Sequence, residues 1–424
     1  MTAPHHAQAV GPHSAPNGTP APDVFVARQP IFDRHERVYA YELLFRAGLE
    51  NYCPQGDLDH AAAHVLENAW LTFGLPTLVG SKRAFVNFTR QLLVTGYGST
   101  LPAKSTVIEL LETIEPDPDV VAACRKLKEQ GYMLAADDYV HRPGLEPLIE
   151  LADIVKVAFR DSDPEEQAAN VRRIAGDRPK LLAEQVETHA EYKQALDLGF
   201  DYFQGYFFCK PEVLSDRALT ASQMSYLKLF QAVNRPELSI DELEAAISND
   251  VALTHRFLKY LGSAMFSWRA PISSVRQGLV LLGKEPTQRW VSLIALSEMG
   301  GGKPQEVLVN AAVRAKCCET LARDAGLPTR ESELFLLGAL SLIDAMLDQP
   351  MEEVLKKLPI SDDLKSALTG QSNELSSVLD FVRGYERGDW ASCGALAPQL
   401  GVQDDRAPNL YRDAITWANE VLGN

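Results

Sequence analysis

Seven polar side chains fall within or at the ends of apolar, β-rich segments in the first half of the chain. They are four carboxylates, two amides and a lysine: Glu42, Asn87, Glu109, Asp137, Lys156, Glu184 and Gln204. A carboxylate in a buried strand needs a partner, and converging carboxylates repel one another unless a cation compensates them. Any one of these residues alone fits a helix cap, a surface ion pair or a solvated strand end. The whole set indicates a site.

The donor atoms of this set are oxygens, and no His or Cys accompanies them. Oxygen ligands match the preference of magnesium or manganese and not that of zinc. Two such ions about 3.5–4 Å apart would activate water and stabilise an in-line displacement at a phosphodiester phosphorus. We therefore predict a two-metal site for Mg²⁺ or Mn²⁺. Arg46, four residues after Glu42, would face solvent at a strand end or bind a phosphate.

The segments that must position these residues alternate between strand and helix patterns. Eight β-rich runs lie between Val24 and about Pro211: VFVARQPIF, VYAYELLF, RAFVNF, TVIELLE, YMLAADDY, DIVKVAF, KLLAEQV and DYFQGYFF. Residues 57–74 and 118–131 carry apolar side chains at helical spacing and end in Gly. This alternation predicts an α/β fold, a TIM-like (β/α) barrel whose ligands gather at the carboxyl ends of the strands.

After Pro211 almost every window has a helical period, and convincing strand patterns disappear. We therefore predict a leader without fixed structure over residues 1–22, a barrel domain over 23–213 and an all-helical domain over 214–424. The Gly-rich segment at 300–304 marks a flexible joint inside the helical half.

Composition limits the partners and the compartment. Hydrophobic residues make up 46% of the 424 residues and the formal net charge is -16, so the chain reads as globular and repels nucleic-acid polymers. The six cysteines show no CxxC spacing, which fits reduced thiols. No signal-peptide core or run of 18 apolar residues appears. We expect a cytoplasmic protein without membrane insertion.

Short motifs at the same positions resemble those of the EAL phosphodiesterase family. In chain order, with the family form in parentheses, they are Gln29-Pro30-Ile31 (QPI), Glu42-Leu43-Leu44-Phe45-Arg46 (EAL-x-R), Val86-Asn87-Phe88 (VNL), Glu109-Leu110-Leu111-Glu112 (E-x-T-E), Asp137-Asp138-Tyr139 (DDF), Lys156-Val157-Ala158 (KID), Ala183-Glu184-Gln185-Val186-Glu187-Thr188 (AEGVET) and Gln204-Gly205-Tyr206 (QGY). The resemblance implies that the barrel hydrolyses cyclic di-GMP to linear pGpG.

The resemblance also implies roles at the reacting centre. Glu184 would be the general base, Lys156 would orient water or offset charge, and Asp138 would help to hold metal and water. The implied metal ligands are Glu42, Asn87, Glu109 and Asp137.

Further residues are implied to contact the ligand or to support the site. Gln29 and Arg46 would contact nucleotide, and Gln204 would support the metal-bound water network. Glu112 and Glu187 would support loops.

Two departures from the family patterns bear on activity. The glycine-rich loop that follows Asp138 in the family is replaced here by VHRPGLEP at 140–147, which holds two prolines. The helical half resembles the HDOD domain in PISSVRQGLVLLG (271–283) and FLLGALSLIDAML (335–347). Related hydrolases have His-Asp where this chain has Ser341-Leu342, so the resemblance implies a helical domain without hydrolase activity.

The domain order resembles the EAL–HDOD subgroup of bacterial signalling proteins, and two functions stay open. One is a metal-dependent, weakly active cyclic di-GMP phosphodiesterase, in which the HDOD domain regulates the barrel or binds an unknown protein partner. The other is a catalytically degenerate adaptor or cyclic di-GMP receptor that acts through protein contacts. An unrelated metal-dependent barrel, aldolase-like or enolase-like, fits the carboxylates but not the motif order. The resemblance also implies a homodimer.

Overall fold

The computed structural model describes most of both halves of the chain. The described residues are 24–47, 74–139, 144–159, 171, 174, 179–211, 220–235, 237–263, 266, 272–403 and 406–423. Several predicted features lie outside them: the leader at 1–22, nearly all of the helix at 57–74, the altered loop at 140–143, and the boundary between domains at 213 and 214.

Eight strands close into a barrel in the first half of the chain, which confirms the predicted architecture. Each strand pairs with the next in chain order, and the eighth pairs with the first. All pairs from β2 to β8 are parallel, so their carboxyl ends meet at one end of the barrel. The strands are β1 Val24–Asp33, β2 Val38–Ala47, β3 Arg83–Phe88, β4 Thr106–Leu110, β5 Met133–Ala136, β6 Ile154–Ala158, β7 Lys180–Glu184 and β8 Tyr202–Gln204.

The first strand runs antiparallel to both of its neighbours, β2 and β8. Residues 34–37 alone connect β1 to β2, and the carboxylate of Asp33 accepts the backbone N–H groups of His35 and Arg37 in this turn. Four residues cannot form the crossover that a parallel pair requires. β1 and β2 are therefore a hairpin, and the alternation of strand and helix begins only after β2.

Helices cover the outside of the barrel between later strands. In the described residues these are α1 Leu75–Val79, α2 Arg90–Val94, α3 Pro118–Glu129, α4 Glu146–Leu151 and α5 His189–Leu198. Asp117 caps α3 by accepting the N–H groups of Asp119 and Val120. Thr188 and Glu191 form a capping box at the start of α5. The helix predicted over 118–131 is thus confirmed as α3.

The second half is helical throughout its described residues, which contain no strand, as the sequence predicts. The Gly-rich segment at 300–304 forms the turn between two long helices, Lys284–Met299 and Gln305–Leu321. No helix in the described part of the chain is long and apolar enough to cross a membrane. The helices are α6 Ala221–Val233, α7 Ile240–Ser248, α8 Val251–Leu261, α9 Val275–Leu282, α10 Lys284–Met299, α11 Gln305–Leu321, α12 Glu331–Leu340, α13 Ile343–Leu347, α14 Met351–Leu355, α15 Asp362–Leu368, α16 Glu374–Arg387, α17 Trp390–Leu396 and α18 Arg406–Leu422.

The C-terminal helices pack against the β1–β2 hairpin. The ring of Phe25 lies 6.1 Å from that of Tyr385 on α16 and 5.9 Å from that of Trp390 on α17. The hydroxyl of Tyr41 donates to Glu306 Oε2 on α11 at 2.8 Å. Because the hairpin has no crossover helix of its own, the helical half covers these strands instead.

A buried guanidinium completes this junction. Arg28 Nη1 donates to the carbonyl of Leu78 at 2.6 Å, and its guanidinium lies 4.5 Å from the ring centre of Tyr41. Arg28 Nη2 also lies 4.0 Å from Glu306 Oε1. Both side chains are almost fully buried, so each compensates the charge of the other. The junction is therefore a packed and charge-matched contact between the two halves.

Replacement of Phe25 by Ala is expected to weaken this junction. Phe25 is fully buried, so its truncation leaves a cavity and should lower the free energy of unfolding by about 3–5 kcal/mol. Urea titration followed by tryptophan fluorescence measures the change. Val280→Ala on α9, where Val280 is 73% exposed, is the control and should alter stability by less than about 0.5 kcal/mol. Equal stability of the two variants would contradict this packing.

Candidate functional site

The polar residues of the barrel stand two positions from a layer of buried apolar residues. That layer closes the barrel interior with Ile31, Ala40, Phe85, Val107, Ala135, Ile154 and Leu182, and Tyr202 packs against it. Side chains two residues apart in a strand point to the same face. The next side chain on that face is therefore a predicted site residue on every strand: Gln29, Glu42, Asn87, Glu109, Asp137, Lys156, Glu184 and Gln204.

Lys156 lies at the centre of this group and is 1% exposed. Its Nζ atom contacts one oxygen from each of four carboxylates. The distances are 2.7 Å to Glu109 Oε1, 2.8 Å to Asp137 Oδ1, 2.9 Å to Glu184 Oε1 and 3.6 Å to Glu42 Oε2. The structure thus brings together carboxylates from four different strands around one ammonium group.

Burial and mutual repulsion shift the protonation of these groups. Burial raises the pKa of Glu109 well above its ordinary value, and the charge of Glu42 raises it further. Burial likewise raises the pKa of Glu184 to about 8, although Lys156 opposes the shift. Burial favours neutral Lys156, but the surrounding carboxylates outweigh this effect and raise its pKa well above the usual value. One lysine does not neutralise the charge of the site.

Several buried oxygens of the site accept no hydrogen bond. They are Asn87 Oδ1, Glu109 Oε2, Glu184 Oε2 and Gln204 Oε1. Buried oxygens without donors are costly, and a hard divalent cation is a natural partner for them. Within the described residues no group of three or more His, Cys, Asp or Glu side chains is arranged so that it could hold a metal ion directly. Lys156 Nζ lies between the carboxylates, and the oxygen donor set itself fits magnesium or manganese.

Amide side chains orient the carboxylate of Glu42. Gln204 Nε2 donates to Glu42 Oε2 at 2.5 Å and to Gln29 Oε1 at 3.1 Å. Asn87 Nδ2 donates to Glu42 Oε1 at 3.3 Å. Each oxygen of Glu42 therefore accepts a hydrogen bond from an amide on another strand, Gln204 on β8 or Asn87 on β3.

The backbone just beyond β7 and β8 adopts a positive φ at two motif positions. A Cβ atom on Gly205, whose φ is +145°, would lie 2.0 Å from the carbonyl oxygen of Val186. Only glycine fits there. Gln185, which stands where the family pattern has Gly, has a φ of 56°. This residue keeps the left-handed conformation at the cost of steric strain that glycine avoids.

Four other predicted site residues lie outside the Lys156 group. Asp138 and Glu112 are exposed and, together with Asp137, line a cavity of about 200 Å³. Glu187 forms an ion pair with Lys210 at 3.3 Å. Arg46 lies near the end of β2 opposite Phe25 of β1 and is half-buried.

A buried ion pair inside the helical half is not among the predicted site residues. Arg314 on α11 donates to Glu386 Oε2 at 2.8 Å and to Ser341 Oγ at 3.2 Å, and all three are buried. Ser341 and Leu342 thus belong to a packed helical core. The sequence alone does not reveal which distant residue a buried Arg or Glu on a helix pairs with.

Comparison with known proteins gives matches to both halves. The family model of the HDOD domain matches residues 219–357 of this chain. YuxH of Bacillus subtilis, an uncharacterized protein, is 36% identical over 407 residues, which cover 94% of this chain and 99% of YuxH. Cyclic di-GMP phosphodiesterase CdgJ of Vibrio cholerae is 33% identical over 400 residues, which cover 94% of this chain and 93% of CdgJ.

Solved EAL structures align with part of this chain. The EAL domain protein of Listeria monocytogenes covers 44% of this chain and 87% of its own, with 21% identity and a TM-score of 0.37. A complex of Klebsiella pneumoniae BlrP1 with manganese and cyclic di-GMP covers 46% of this chain and 57% of its own, with 24% identity and a TM-score of 0.38. The two relatives that match over nearly their whole length, together with the barrel and the HDOD match, decide the family. The chain belongs to the EAL–HDOD family of bacterial signalling proteins, with a divergent EAL barrel followed by an HDOD domain.

Proposed function

We propose that the barrel is a phosphodiesterase that hydrolyses cyclic di-GMP to linear pGpG with magnesium or manganese, and that the HDOD domain regulates it or binds a protein partner. The observation that carries this proposal is the convergence of Glu42, Glu109, Asp137 and Glu184 at one end of the barrel. The name of CdgJ, which matches this chain at 33% identity, supports the same substrate.

The oxygen donors assign the metal-holding residues. The metal would be held by Glu42 within β2, Asn87 and Glu109 near the carboxyl ends of β3 and β4, and Asp137 directly after β5. A divalent cation supplies Lewis-acid stabilisation of the phosphate and lowers the pKa of water. Asp138 follows directly in the chain and would help to hold metal and water.

The remaining polar residues supply proton transfer and orientation. Glu184 would take a proton from the attacking water while the water oxygen bonds to phosphorus and the phosphorus–oxygen bond to one ribose breaks. The released ribose oxygen would then take up a proton from solvent. Lys156, which contacts Glu184 Oε1 at 2.9 Å, offsets the charge beside it. Gln29, Arg46 and Gln204 would orient the nucleotide and its water. Glu112 and Glu187 would support the loops.

A receptor that binds cyclic di-GMP without turnover is the second candidate. The observation that favours it is the close contact of the Lys156 ammonium with all four carboxylates, because metal binding must compete with this cation. A titration of cyclic di-GMP in calcium measures binding separately from hydrolysis. Tight binding without pGpG formation in magnesium or manganese would favour the receptor.

Glu42→Ala and Glu184→Ala are expected to abolish hydrolysis for different reasons. Glu42→Ala removes a metal ligand, so pGpG formation should fall to the level seen in EDTA. Glu184→Ala removes the base and should lower kcat by about 10²–10⁴-fold. Chromatography of pGpG at saturating Mn²⁺ measures both. Glu129→Ala on the exposed face of α3 is the control and should keep full activity. Unchanged turnover in either site variant would contradict the proposal.

Lys156→Met should make the stability of the protein depend more strongly on metal. Removal of the buried cation leaves the carboxylates uncompensated and should lower the free energy of unfolding in EDTA by about 3–5 kcal/mol. Added Mn²⁺ should raise the melting temperature of this variant more than that of the wild-type protein. Scanning calorimetry with EDTA and with Mn²⁺ measures the difference.

Lys356→Met is the control for this comparison. It removes an exposed lysine paired with Glu353, and solvent screens such surface pairs strongly. Its melting temperature should respond to Mn²⁺ like that of the wild-type protein. An equal response of Lys156→Met and wild type would show that the carboxylates do not take the cation.

A further inference from the structure

The last turn of α16 lies against the end of the barrel that carries the polar site. Gln29 Nε2 on β1 donates to the carbonyl oxygen of Arg387 at 3.1 Å. The hydroxyl of Tyr206, two residues after Gln204, donates to the carbonyl oxygen of Glu386 at 3.2 Å. The guanidinium of Arg387 lies 5.0 Å from the ring centre of Tyr206. Two motif residues of the barrel therefore hold the end of a helix from the other half.

The chemistry of a helix end explains this contact. The last four carbonyl groups of an α-helix have no N–H partner within the helix. Gln29 and Tyr206 supply donors to two of these carbonyls, on Glu386 and Arg387. Gly388, with a φ of 68°, ends the helix in the left-handed conformation and turns the chain away. The barrel thus completes the hydrogen bonding of α16.

This contact continues as a chain of hydrogen bonds into the site. Gln29 Oε1 accepts from Gln204 Nε2 at 3.1 Å, and the same Nε2 donates to Glu42 Oε2 at 2.5 Å. The chain therefore runs from Arg387 through Gln29 and Gln204 to Glu42, the first of the proposed metal ligands.

The carbonyl of Arg387 fixes the direction of this chain. A carbonyl only accepts, so the NH₂ group of Gln29 must face α16 and its oxygen must face Gln204. Gln204 must in turn present its NH₂ group, which places a donor on Glu42. With the amides reversed, the oxygen of Gln204 would face the carboxylate of Glu42 and repel it.

We propose that the last turn of α16 positions Glu42 for metal binding through Gln29 and Gln204, so that the helical half completes the barrel site. The inference rests on the proposed function, because it assigns a metal to Glu42. Hydrogen-bond partners of metal ligands typically change metal affinity or activity by about 10–100-fold.

Gly388 offers a way to displace this turn without changing the site. A Cβ atom on Gly388 would lie 2.8 Å from Leu44 Cδ1 on β2. A leucine at this position needs still more room, so it should push the end of α16 away from the barrel. Gly370 is the matched control position, because its φ is +82° and a Cβ atom added there would have no atom within 4 Å. Gly388→Leu and Gly370→Leu share the backbone strain, and only the first displaces α16.

Electron paramagnetic resonance of free Mn²⁺ tests the inference on the full chain without nucleotide. Gly388→Leu should weaken Mn²⁺ binding about 10-fold, and Gly370→Leu by less than about 2-fold. Leu44→Ala makes room for the new side chain, so Gly388→Leu combined with Leu44→Ala should return to within about 2-fold of Leu44→Ala alone. A purely local effect of backbone strain would not be rescued in this way.

Gln29→Leu breaks the chain of hydrogen bonds without backbone strain. It replaces Gly388→Leu in the test if that variant does not fold. It should also weaken Mn²⁺ binding about 10-fold, whereas a residue that only contacts nucleotide would leave Mn²⁺ affinity unchanged. Wild-type affinity in folded Gly388→Leu or in Gln29→Leu would overturn the inference. Mn²⁺ binding with these effects but without pGpG formation would overturn the proposed hydrolysis alone. No Mn²⁺ binding by the wild-type protein would overturn both.

Discussion

The structure depends on the contact between the buried ammonium of Lys156 and the carboxylates of Glu42, Glu109, Asp137 and Glu184. Four carboxylates from different strands meet where little water reaches, and their repulsion would oppose closure of the barrel without a cation among them. One lysine offsets only part of that charge, and several site oxygens still lack a donor. The carboxylate charge that Lys156 does not offset is the physical basis of the proposed metal site.

The period of the strands connects this site to the fold. One apolar layer fills the barrel interior, and the next inward position on each strand carries a polar group. Because parallel strands end at one side, these groups meet there. Glu42 and Glu184 come together in this way, although 141 residues separate them in the chain. The helical half then covers the β1–β2 hairpin, which lacks a crossover helix, and reaches the same end of the barrel through α16. Glu386 and Arg387, which contact this end of the barrel from α16, lie beyond the HDOD match at 219–357.

Much of this arrangement could be predicted from the sequence, because strand ends and motif order are local signals. The eight strands, the all-helical second half and the grouping of Glu42, Asn87, Glu109, Asp137, Lys156, Glu184 and Gln204 are all present in the structure. The contact of Gln29 with Arg387 could not be predicted, since it joins residues 358 positions apart and uses a backbone carbonyl. Gly388 gives a signal for the end of a helix but none for the surface on which that end docks. The roles of all the site residues stay predictions, and Asp138, Glu112, Glu187 and Arg46 lie outside the Lys156 group.

Manganese anomalous diffraction tests most directly whether the carboxylate group is a metal site. Crystals of the wild-type protein would be soaked in Mn²⁺, and an anomalous difference map would be computed at the manganese absorption edge. The account predicts strong peaks among Glu42, Asn87, Glu109 and Asp137, with Lys156 Nζ moved away from at least one carboxylate that now binds the ion. Peaks confined to the protein surface, with Lys156 still in contact with all four carboxylates, would contradict it.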